Sequence, residues 1–101
     1  MFEHRLAKKW KVVEVQLTQA ADFLLEPERF QLEERDLNEY REYLRVNELG
    51  LAMQVLEELA YEHGAKSGFW RRLQKAAATM ELSDKVEEYE KAFHEALAKN
   101  V

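Results

Sequence analysis

Three histidines, His4, His63 and His94, are the side chains best suited to hold a metal or to move a proton. They fall in three different predicted helices, and none has a second histidine or carboxylate in a recognised ligand motif, so ligation would require convergence in space. His63, between Glu62 and Gly64, has an ordinary use as a cation at a helix C-terminus, where the helix dipole favours positive charge. Carboxylates are plentiful, 20 in 101 residues. A catalytic acid–base pair, however, needs burial or a partner that separates the two pKa values, and the sequence shows neither. There is no glycine-rich phosphate loop, nucleophile elbow or paired glutamate–histidine di-iron motif. The two serines, Ser67 and Ser83, stand where helices need caps. The absence of cysteine removes thiolate chemistry, disulfides and cysteine-ligated zinc, and fits a reducing compartment. An enzyme is not expected, nor a cofactor or metal; a metal-dependent enzyme built on the scattered histidines is the weakest reading.

Surface recognition is the chemistry that remains. The net charge of −5 is unevenly placed: residues 26–64 carry four basic and eleven acidic side chains, residues 65–81 four basic and one acidic. The negative charge gathers at Glu33, Glu34, Asp36, Glu39, Glu42 and Glu48, then at Glu57, Glu58 and Glu62. Solvated outer faces look like this too, with pairs such as Glu42 and Arg45 contributing a few tenths of a kcal/mol. An acidic face also speeds association with a basic partner and repels nucleic acid. On that reading Glu39, Glu42, Glu48 and Glu58 meet the partner. Tyr43 and Tyr61 are the tyrosines expected outside, where the ring adds apolar contact area beside acids. Asn47, next to Glu48, completes the expected partner-facing set. Lys66, Arg71, Arg72 and Lys75 around Phe69-Trp70, and Lys8, Lys9 and Lys11 around Trp10, mix cations with aromatics as nucleic-acid surfaces do. The acidic balance of the chain and the core spacing of those aromatics read against nucleic-acid binding.

Helices must position these residues. One proline and three glycines leave few places for β-turns, and no stretch alternates as a strand does. From Glu3 to Leu25 the apolar residues Leu6, Trp10, Val13, Leu17, Ala20, Ala21 and Leu24 recur at spacings of three and four, predicting a first helix with those residues inward. Glu26-Pro27 stops it, and Phe30 closes the end of the core. A second helix is predicted from Asp36, acting as cap with Glu39 in a capping box, to Val46, with Leu37, Tyr40 and Leu44 on one face. A third runs from Glu48 to His63, capped by Asn47, and Gly64 supplies the left-handed residue that closes it. Gly50 in its first turn, beside Ala52, predicts a close helix–helix contact, because glycine inside a helix costs about 1 kcal/mol against alanine. Ser67 is the expected cap of a fourth helix burying Phe69 or Trp70, Leu73, Ala76, Ala77 and Met80. A fifth follows Ser83 and buries Val86, Tyr89, Phe93, Ala96 and Leu97. The expected architecture is all-α: a single domain over residues 1–101 folded as a compact bundle of about five helices. A tandem repeat of about 34 residues is disfavoured, because the partner residues such helix pairs need do not recur.

The segment Asn47-Glu48-Leu49-Gly50-Leu51-Ala52, with Met53-Gln54-Val55-Leu56-Glu57-Glu58-Leu59 behind it and Glu39-Tyr40-Arg41-Glu42-Tyr43-Leu44 ahead, resembles small helical immunity proteins of bacterial polymorphic and contact-dependent toxin systems, the MafI-like group. The likeness covers residues 36–64 and rests on Asn47, Glu48, Gly50, Leu51, Ala52 and Leu56. It implies a helical inhibitor that neutralises a cognate toxin by forming a tight complex, with no covalent step. A helical adaptor or homodimer, formed through excess apolar surface on the first or last helix, is the alternative. No apolar run approaches the roughly 18 residues that span a bilayer, and the first twenty residues lack the apolar core of a signal peptide. A soluble cytoplasmic protein, with no membrane partner, is therefore expected.

Overall fold

The computed structural model describes residues 2–24 and 34–99, and among them are five α-helices, one turn of 3-10 helix and no strand. Helix α1 is Phe2–Leu24; the 3-10 turn Glu34–Leu37 leads into α2, Asn38–Arg45; α3 is Leu49–His63, α4 Ser67–Thr79 and α5 Ser83–Lys99. The expected all-α bundle is thus the observed one. The stop at Glu26-Pro27, the plug at Phe30 and the acid at Glu33 lie outside the described residues, as do the side chains of His4 and Leu6.

Helices α2 and α3 form one antiparallel pair and α4 and α5 another, and α1 lies against both α3 and α4. Lys9 bonds Glu81 just past the end of α4, whereas Phe23 lies against Gly68 at its start, so α1 and α4 run antiparallel. The shared core takes Val13, Leu17, Ala20 and Leu24 from α1, Leu37 and Tyr40 from the second segment, and Ala52, Met53 and Leu56 from α3. Phe69, Trp70, Leu73, Ala76 and Ala77 of α4 and Tyr89 of α5 complete it. Both Phe69 and Trp70 are buried, which accounts for the aromatics inside the basic cluster. Arg71 lies 3.6 Å over the Phe93 ring and pairs with Glu90, and Arg72 stands 5.9 Å from the Phe23 ring, so two cations of that cluster serve helix packing.

Two expected core residues are on the surface. Trp10 is 42% exposed because it lies level with the α4–α5 corner, where the cover of α4 ends, and Leu97 is 43% exposed in the last turns of α5. The expected caps also differ. Asp36 falls inside the 3-10 turn, and α2 starts after Leu37 with no side-chain cap. Ser67 is itself the first residue of α4, after Lys66, and Ser83 the first of α5.

Asn47 does not cap α3, whose start at Glu48 carries no side-chain cap bond. It ends α2 instead. Its φ is 63°, its N–H donates to the Leu44 carbonyl at 3.1 Å, and the Glu48 N–H reaches back to the Tyr43 carbonyl at 2.8 Å. This double closure is the Schellman corner, which favours a residue able to take a left-handed backbone. The α4–α5 corner repeats it: Glu81 has φ 61°, its N–H bonds the Ala78 carbonyl at 3.0 Å, and the Leu82 N–H bonds Ala77 at 2.9 Å. Gly64 closes α3 with the positive φ expected, 90°, but its ψ of 159° is extended rather than that of a left-handed helical step.

The close approach expected at Gly50 occurs at a different glycine. A Cβ on Gly50 would meet nothing within 4 Å, whereas one on Gly68 would lie 2.6 Å from Cε1 of Phe23. Gly68 therefore lets α1 and α4 meet. Gly50→Ala should raise stability by about 0.5 kcal/mol through helix propensity. Gly68→Ala should lower it by about 1 kcal/mol as the Phe23 ring is pushed aside. Urea denaturation of the two variants would measure both, and equal shifts of the same sign would contradict this assignment of the contact.

Candidate protein-binding face

Helices α2 and α3 leave a shallow groove between their outer edges. Glu39 and Tyr43, one turn apart on α2, form one wall; Leu51, Gln54, Val55 and Glu58, spaced as one stripe of α3, form the other, enclosing about 200 Å³. Because the pair is antiparallel, Glu39 and Glu58 fall toward one end and Tyr43 and Leu51 toward the other. Leu51 and part of Tyr43 give one end its apolar surface, Val55 being buried behind them, and the carboxylates make the other end acidic.

The carboxylates here are available to a partner. Glu39 makes no hydrogen bond or ion pair among the described residues, and Glu58 accepts only a long 3.4 Å bond from Gln54 Nε2. Tyr43 is half-buried against the core rather than standing clear of it. Of the seven residues expected to face a partner, the structure gathers Glu39, Tyr43 and Glu58 in this groove. Glu42 is engaged locally: Arg45 grips both carboxylate oxygens, and this hydrogen bonding and charge hold the Glu42 carboxyl below the usual carboxylate range. Asn47 and Glu48 are exposed at the corner beyond the groove's apolar end.

Tyr61 belongs to a different surface. Its hydroxyl donates to Glu88 Oε2 at 2.8 Å across to α5, and its ring lies 5.0 Å from Trp70. Beneath it, Glu57 Oε1 accepts from the Tyr89 hydroxyl at 2.6 Å and from Lys85 Nζ at 2.8 Å, and Lys85 also reaches Glu88 at 3.2 Å. A polar seam thus ties α3 to α5. Burial first, then hydrogen bonding to Glu57, pushes the Tyr89 phenol well above its ordinary range; Tyr61, as expected more than half exposed, is raised in the same sense by partial burial and its bond to Glu88, and burial also raises Tyr40. A phenol so shifted stays protonated, the opposite of an activated base or nucleophile.

That shift has a stability consequence. Free tyrosine ionises near pH 10. Above that pH the unfolded chain releases these protons while the folded chain keeps them, so the stabilisation is complete below about pH 10 and declines as pH rises beyond it. The Lys85 ammonium, raised chiefly by its hydrogen bond to Glu57, titrates in the same sense. Stability followed by urea denaturation should therefore fall from about pH 10 upward, while phenolate absorbance develops fully only on unfolding. A tyrosine titration complete near pH 10 in the folded protein would contradict the seam.

The groove floor, Leu51, Gln54 and Val55, was not expected as part of a site. Its signal was present: Leu51 and Val55 are four residues apart and off the inward stripe of the third helix, with Glu58 continuing the line. Among the described residues no group of three or more His, Asp or Glu is placed to hold a metal ion. His94 pairs with Glu90 at 2.9 Å, and His63 stands 3.9 Å from Glu62 at the end of α3. Among the described residues no helix is long and apolar enough to cross a membrane. Compared with protein-family models, curated proteins and solved structures, the chain matches none.

Proposed function

We propose that this protein is an immunity-like inhibitor that binds a basic cognate toxin domain through the α2–α3 groove, acting in the cytoplasm without cofactor or covalent step. The observation that carries the reading is the pairing of two carboxylates that make no ion pair among the described residues, Glu39 and Glu58, with exposed apolar surface on Leu51 and the half-buried Tyr43. Exposed carboxylates steer a cationic partner to the face, and the apolar end supplies contact area once it arrives. Nucleic acid is repelled by the same field. Glu48, at the corner, extends the acidic rim, whereas Glu42 contributes little because Arg45 already neutralises it.

The test is co-expression with the product of the neighbouring gene, above all the C-terminal domain of a secreted multidomain toxin encoded immediately upstream. The wild-type chain should co-purify with it and restore growth. Glu39→Lys and Glu58→Lys should each weaken the complex about tenfold and flatten its salt dependence, with Glu42→Gln near neutral. A complex indifferent to both reversals would sink the groove assignment, and absence of any complex or protection would sink the inhibitor.

A further inference from the structure

The outward face of α1 carries a stripe that takes no part in the packing among the described residues. Lys8, Lys11, Val12 and Val15 are spaced as one line along the helix, opposite the buried line of Val13, Leu17, Ala20 and Leu24. Val12 is 46% and Val15 54% exposed. A β-branched residue on an exposed helical face gains nothing from the core and lowers helix propensity slightly, and among the described residues nothing covers the apolar surface of Val12 and Val15. Lys8 and Lys11 make no hydrogen bond or ion pair among the described residues, in contrast to their neighbour Lys9, which bonds Glu81 at 2.9 Å.

We infer that the α2–α3 groove takes a second copy of this chain, seated through this outward face of α1. Three features match. Leu51, Gln54, Val55 and Glu58 share the seven-residue span of Lys8, Lys11, Val12 and Val15, about 10 Å in each helix. Each surface is charged at one end and apolar at the other, and the signs oppose: two ammonium groups on the stripe, two carboxylates on the groove. The order along the chain then fixes one orientation. The incoming α1 runs antiparallel to α3, with Lys8 and Lys11 beside Glu58 and Glu39 and with Val12 and Val15 on Leu51 and the exposed part of Tyr43. The reverse orientation would set lysine against leucine and valine against glutamate. Each copy supplies one stripe and one groove, so a two-fold pair makes the contact twice.

A dimer formed this way covers the surface assigned above to the toxin, and a basic partner must displace it. The inference shares that groove, yet each is tested separately, because the stripe is not part of the groove. The measurement is sedimentation of the purified full chain at rising concentration. The wild type should pass from its monomer mass of 12.0 kDa to twice that mass. Lys8→Glu/Lys11→Glu and Glu39→Lys/Glu58→Lys should each weaken association more than tenfold while keeping a helical circular dichroism spectrum. An equimolar mixture of the two variants should recover the dimer, since both of its contacts again join opposite charges. A wild type that stays monomeric at high micromolar concentration overturns the proposal, as does a stripe variant that dimerises like the wild type or a mixture that stays monomeric. The stripe variant keeps its acidic groove, so it should still bind the cognate toxin; loss of toxin binding there would count against the toxin reading, not the dimer.

Discussion

Trp70→Ala should cost about 3–5 kcal/mol, the range for removing a large buried aromatic. Trp70 is 4% exposed and is surrounded by rings, with Tyr61 and Phe69 at 5.0 Å and Tyr89 at 5.8 Å between centroids. Its removal takes away apolar burial and three ring contacts together, and the neighbouring tyrosines are tied by hydrogen bonds to Glu57 and Glu88, which limits their collapse into the space. A domain of this size has about 5–15 kcal/mol in total, so the variant should be close to unfolding at ambient temperature. Trp70→Phe, which keeps most of the ring contacts, should lose less than half as much. Urea denaturation followed by circular dichroism measures both; a Trp70→Ala loss below about 1 kcal/mol would mean that the ring cluster does not hold α3, α4 and α5 together.

Glu57→Ala should cost about 2–3 kcal/mol, a large effect for one charged side chain in the middle of α3. The reason is what it leaves behind. The fully buried Tyr89 loses its only acceptor among the described residues, and Lys85 loses the nearer of its two carboxylates. An orphaned buried hydroxyl costs more than the hydrogen bond itself contributes. Glu57→Gln keeps an oxygen that can accept from Tyr89 and should cost about 1 kcal/mol, much of it the weakened tie to Lys85. Tyr89→Phe removes the need for an acceptor, so adding Glu57→Ala to it should cost about 1 kcal/mol less than adding it to the wild type. Strict additivity of the two substitutions would show that the Tyr89–Glu57 bond is not formed.

The helices and most of the core were legible in the sequence because spacing alone carries that information: Val13, Leu17, Ala20 and Leu24 could share only one helical face, and they are buried together. What the sequence hid depended on contacts between distant residues. Gly50 and Gly68 are equivalent by local reasoning, and only the position of Phe23 makes Gly68 the one whose missing side chain matters. Asn47, read as the cap of α3, instead ends α2, where asparagine tolerates the positive φ; Glu81 could not be read at all, since glutamate there takes the left-handed backbone with nothing in its own chemistry to announce it. Trp10 follows the inward spacing of α1 yet stays exposed because a periodic stripe does not reveal where its partner helix ends. The acidic residues were found by counting, but counting could not separate Glu42, gripped by Arg45, from Glu39 and Glu58, which line the groove between α2 and α3.

The arrangement of α1 also sets an order of assembly. Each Schellman corner joins neighbours in sequence, so the α2–α3 and α4–α5 pairs can close by rapid local search. Helix α1 must instead reach across the whole chain, as Lys9 does to Glu81 over 72 positions. Helix α1 thus completes the body rather than creating it: α3 and α5 are joined without it through Glu57, Tyr61 and Tyr89, and α1 lies across α3 and α4 to cover their remaining apolar side.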